Sequence, residues 1–71
     1  MRTFYRMKSE ADAYRASTLL FRAGYDAIPI KSLKKPQWYV DLQHQGDPPP
    51  GAKAVIRRVD PDVIGSAKRV E

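Results

Sequence analysis

The strongest constraint in this chain is the segment from Ser9 to Gly24, which carries the start and stop signals of a helix with no proline or glycine between them. Ser9-Glu10-Ala11-Asp12 matches a capping pattern, in which the Ser9 hydroxyl accepts from an N–H of the first turn. Glu10 and Asp12 complement the positive helix end, and Gly24 stands where a left-handed C-terminal cap falls. A helix over residues 10–23 follows. On a helical wheel Ala13, Ala16, Leu19, Leu20 and Ala23 gather on one side. Alanines along that stripe let the helix approach a sheet closely, so the chain is expected to lay this helix on strands.

Strand signals flank it on both sides. Residues 2–8 mix aromatic, β-tolerant and basic side chains. Residues 26–31 follow directly, with Pro29 arguing for an edge position because it has no N–H for a ladder. Leu33-Lys34-Lys35-Pro36 forms a basic turn, and residues 37–43 alternate Trp38, Val40 and Leu42 with Gln37, Tyr39, Asp41 and Gln43. The proline-rich segment 44–51 is a loop. Ala52, Val55, Ile56 and Val59 then repeat at helical spacing, giving a second helix over 52–59. Asp60-Pro61-Asp62 reads as a cap and restart, leading to a further short helix over 61–70 weakened by Gly65. The expected fold is α+β: a two-layer β-α-β-β-α sandwich, or ferredoxin-like half, with helices on one face of a three-stranded sheet. Its first two strands are expected to run parallel and its third antiparallel to the second.

Composition narrows the function. With 71 residues the chain is one small domain whose core is near the lower limit for folding. Cysteine is absent, which excludes disulfides, thiolate metal sites and thiol nucleophiles. No apolar run approaches the ~18 residues of a membrane span and no export signal is read, so a cytoplasmic location without membrane association is the expectation. The lone histidine, His44, lies in a loop, no cluster has metal-ligand spacing, and the four glycines form no phosphate cradle. Convergent reactive groups are therefore missing, and the expectation is a non-enzymatic protein without cofactor or metal. Thirteen Lys and Arg against eight Asp and Glu give a net charge of +5, which favours an acidic macromolecule as partner.

Two surfaces can serve that partner. If Trp38, Val40 and Leu42 face the core, Tyr39 faces outward beside Phe4, Arg2, Arg6 and Lys8 of the first strand. Lys31 and the Lys34–Lys35 turn extend the same basic region. Rings among cations on an open sheet are what single-stranded nucleic acids use, bases stacking at about 1–3 kcal/mol each. The ordinary alternative is a charged strand face that keeps the sheet soluble, with Tyr39 against Phe4 as a cross-strand pair. The second surface is the helix side opposite the alanines, where Tyr14, Thr18 and Phe21 gather, flanked by Arg15 and Arg22, with Tyr25 past the cap. These aromatics either cover the C-terminal helices or form a protein-binding or homodimer stripe.

The segment from Thr3 to Ile30, through its alanine-rich helix and Arg22-Ala23-Gly24-Tyr25-Asp26-Ala27, resembles the opening βαβ of small ferredoxin-like modules, including SPOR-type peptidoglycan-binding domains. The triple proline and the Asp-Pro-Asp break depart from that pattern, and no site residue is carried across. In size and charge the chain also resembles phage or mobile-element accessory proteins, including anti-CRISPR-type inhibitors. The functional expectation is a basic module docking on an acidic partner, nucleic acid ranked before a protein target that it inhibits or adapts.

Overall fold

In the computed structural model, which describes residues 1–66, the chain runs β1 (Arg2–Met7), α1 (Glu10–Arg22), β2 (Asp26–Lys31), β3 (Trp38–Gln43), α2 (Pro50–Arg57) and β4 (Gly65–Ser66). The strands form one antiparallel sheet in the order β2-β3-β1-β4. The start of α1 follows the sequence closely. Ser9 Oγ accepts from the Asp12 N–H at 3.2 Å, and Glu10 and Asp12 sit in the first turn. At the other end Ala23 closes the helix, and Gly24 takes a φ of +92° that a side chain would strain.

Alternation along the strands divides the sheet into two faces. Register pairs Thr3 with Leu42, Tyr5 with Val40 and Met7 with Trp38, and these face the helices. Ala13, Ala16 and Leu20 of α1 and Ala52 and Ile56 of α2 close over them, with Val63 completing the core. Burying Leu20 alone is worth about 1.5–3 kcal/mol. The alanine stripe is rotated slightly from the sequence expectation: Ser17 is buried in it, Leu19 is half-buried and Ala23 is exposed.

Three expectations are corrected. The sheet has four strands, so the chain does not stop at a ferredoxin-like half of three. The segment expected to be a helix over 61–70 begins as a turn: the Asp62 N–H donates to Asp60 Oδ1 at 3.0 Å, the Val63 N–H donates to the Asp60 carbonyl at 3.2 Å, and Gly65–Ser66 then pair with β1. Asp60 thus caps a turn, and Gly65 explains why a strand follows. A Cβ there would stand 2.7 Å from Tyr5 Cε1 and 3.0 Å from Thr3 Cγ2. Residues 67–70 of that segment lie outside the described residues. The second helix also starts earlier than expected, because Pro50 at its first turn needs no N–H partner. The expected strand directions hold: β1 and β2 run parallel to one another, with β3 between them and antiparallel to both.

His44 belongs to this framework. Its Nδ1 lies 3.0 Å from the Gly46 carbonyl, which can only accept, and its Nε2 lies 2.7 Å from Thr3 Oγ1. Its backbone exchanges bonds with Met1, extending the β1–β3 ladder.

Overpacking predicts that G65A destabilises the protein by about 1–3 kcal/mol, read as a lower urea midpoint. An unchanged midpoint would mean that β4 does not lie against Tyr5.

Candidate functional site

The sheet face away from the helices carries Arg2, Phe4 and Arg6 from β1, Tyr39, Asp41 and Gln43 from β3, and Asp26, Ile28 and Ile30 from β2. The outward exposure expected of Tyr39 is not found on it. Tyr39 is only 1% exposed, and its hydroxyl donates to Gln37 Oε1 at 3.0 Å. Phe4 is half-buried and stands opposite Asp41, so the Phe4–Tyr39 cross-strand pair does not form; Tyr39 stands opposite Arg6. Asp41, 2% exposed, holds Arg2 through a 3.3 Å ion pair, while its Oδ1 has no hydrogen-bond partner. A base approaching the centre of this face would meet a carboxylate and no free ring.

The basic residues assigned to that face also separate. Lys8 lies beyond the end of β1, and its Nζ reaches Asp60 Oδ1 at 3.5 Å. Lys31 shares its register position with Trp38, on the side of the helices. Lys34 and Lys35 are exposed in a turn that Ser32 builds, its Oγ accepting from both of their N–H groups at 3.2 Å. Among the described residues Arg6, Lys31, Lys34 and Lys35 have no ion pair.

The residues assigned to the other surface stay together with one exception. Because Ala13, Ala16, Ser17 and Leu20 point inward, Tyr14 and Phe21 emerge on the flank of α1 that overhangs β2, the edge strand. Phe21 is 75% exposed and Tyr14 53%. The Tyr14 ring leans on Trp38, centroids 5.7 Å apart and planes tilted by 51°, which fixes its position. Tyr14, Ser17, Thr18, Phe21, Ala27 and Pro29 line a groove of 240 Å³ between helix and edge strand. Arg15 and Arg22 are exposed on the outward side of the same helix and have no ion pair among the described residues. Among the described residues Phe21 stands largely in water and Tyr14 leans on Trp38, so neither covers residues 50–66 as one of the two expectations had it. Tyr25 does: it is half-buried against the core, with its hydroxyl over Gly51 at the start of α2.

Sequence reasoning missed Ala27, Pro29 and Ile28 as neighbours of this patch. Ile28, 50% exposed, sits on the other face of the same edge strand and carries the apolar surface around it. Pro29 was the available signal, because a proline inside a strand pattern marks an edge, where no further strand closes the groove against the neighbouring helix.

Comparison of the chain with protein-family models, with curated proteins and with solved structures finds no match.

The Arg2–Asp41 pair gives a direct test of the first face. R2A leaves a buried carboxylate without its cation and is expected to cost about 1–3 kcal/mol in chemical denaturation. R15A, with no such partner, is expected to stay within about 0.5 kcal/mol of the parent. Equal effects would remove the distinction between the two faces.

Proposed function

We propose that this chain is a non-enzymatic docking module that engages an acidic protein partner through the α1–β2 flank. The observation that carries this reading is Phe21: a phenylalanine three-quarters exposed on a capped helix, beside the Tyr14–Pro29 groove and two arginines with no ion pair among the described residues. Leaving that ring in water forgoes roughly 1.5–3 kcal/mol of burial, which a partner can recover. Aromatic residues with arginine at their margin are the composition of interface centres.

Charge selects the kind of partner. A second copy of a +5 chain set against this flank would bring Arg15 and Arg22 toward like charges, whereas an acidic surface would meet them favourably. The recognition runs through side chains, because Pro29 in the middle of β2 interrupts the row of N–H groups that an added strand would need. A partner offering an aliphatic side chain to the groove, with carboxylates on either side, fits this surface. The effect on such a partner would be that of an inhibitor or adaptor, blocking or bridging the surface it covers.

The expected result is a stoichiometric complex captured from nuclease-treated lysate and weakened at least ~30-fold by F21A, the range of a hot-spot truncation. F21A is expected to hold thermal stability within about 0.5 kcal/mol, whereas L20A, on the buried side, should cost about 2–5 kcal/mol. If F21A unfolds the protein, or the complex survives it, the flank is not the docking surface.

A further inference from the structure

A second feature lies at the opposite margin of the open sheet face and is independent of the α1 flank. Where β1 ends and β3 begins, Arg6, Met7, Lys8, Pro36 and Gln37 line a cleft of 440 Å³. Alternation places Arg6 on the open face beside Tyr39. One wall is the Lys31–Gln37 turn, closed by the Ser32 N–H donating to the Gln37 carbonyl at 2.8 Å and the Gln37 N–H donating to the Lys35 carbonyl at 2.7 Å. The Ser32 hydroxyl, accepting from the N–H groups of Lys34 and Lys35, holds the backbone of the turn that leads into Pro36 and Gln37.

The polar groups here are donors with little to donate to. Tyr39 gives its hydroxyl proton to Gln37 Oε1, which fixes the amide and leaves its NH₂ group without a partner among the described residues. Arg6 has no carboxylate within ion-pair distance among the described residues. Lys8 has one, Asp60, yet that carboxylate is buried and already accepts from the Asp62 N–H, while the lysine side chain is largely exposed. A guanidinium, an ammonium and an amide NH₂ thus border one open cleft, and the turn that leads into it carries Lys34 and Lys35. Such a set matches a group with several acceptor oxygens and at least one negative charge.

We infer that the Arg6–Lys8–Gln37 cleft binds a phosphate group, carried either by a small phosphorylated molecule or by the backbone of a single-stranded nucleic acid. The guanidinium offers two parallel N–H donors to two phosphate oxygens, Lys8 supplies a point charge and Gln37 a neutral donor. The rings of the open face take no part, since Tyr39 is buried; bases would therefore be left unread, and recognition would rest on the phosphate.

The test is a titration of the isotope-labelled full chain at low ionic strength with pyrophosphate and, in parallel, with an oligothymidylate. With pyrophosphate, saturable amide shifts are expected at Arg6, Met7, Lys8 and Gln37. R6Q should weaken them about tenfold, the loss of one charge-assisted contact. R15Q and F21A should leave them unchanged, which separates this cleft from the α1 flank. Tighter binding of the oligonucleotide, with affinity falling on added salt by a log–log slope near −0.7 per phosphate, would assign the group to a nucleic-acid backbone. Equal or weaker binding would assign it to a small phosphorylated ligand. Shifts spread over all basic residues without saturation, or an R6Q variant that binds as the parent does, would overturn the proposal. Because K8Q also removes the Asp60 contact, R6Q carries the decision.

Discussion

Everything on the surface of this protein follows from how closely α1 lies on the sheet. Ala13 and Ala16 present almost no side chain, so the helix backbone comes down onto β2 and β3, and Leu20 fills the remaining space. That contact fixes the rotation of the helix. Once the alanines and Leu20 point inward, Tyr14 and Phe21 must emerge over the edge strand and Arg15 and Arg22 beyond them. The same contact sets which strand residues are core and which are left on the open face.

The consequence is an unequal pair of surfaces. On the open sheet face the chain's own groups satisfy most of one another: Arg2 with Asp41, Tyr39 with Gln37, Phe4 packed beside the carboxylate. Among the described residues nothing covers Phe21 on the α1 flank, and the flanking cations have no ion pair. A protein of this size has little core to spare, so an exposed phenylalanine on its best-formed helix is a cost to solubility that docking would offset. The basic character survives chiefly at the cleft between the ends of β1 and β3 and in the turn beside it, where Arg6, Lys34 and Lys35 have no ion pair among the described residues.

Much of the architecture was legible in the sequence because local chemistry dictated it. Ser9 and Gly24 bounded α1, and the Trp38–Val40–Leu42 alternation gave β3 and its inward face. What escaped was non-local. Asp60-Pro61 signals a turn as readily as a helix start, and only the press of Gly65 against Tyr5 decides for a strand. Tyr39 alternates outward as expected, yet outward did not mean exposed: Arg6 and Ile30 stand opposite it on the neighbouring strands and its hydroxyl is taken by Gln37. Lys8 was placed by extending the alternation one residue past the strand end, where Asp60 draws it away. The α1 stripe was readable, whereas its position over β2 depended on a strand order that periodicity does not encode.

The central claim is that the rings on α1 face water while Tyr39 on the open sheet face does not. Paramagnetic relaxation by a soluble, uncharged gadolinium chelate reads this directly from the aromatic protons of each residue. Strong relaxation at Phe21, intermediate relaxation at Tyr14 and protection of Tyr39 and Tyr5 are the pattern that this account requires. A protected Phe21 together with a relaxed Tyr39 would reverse the two faces and contradict it.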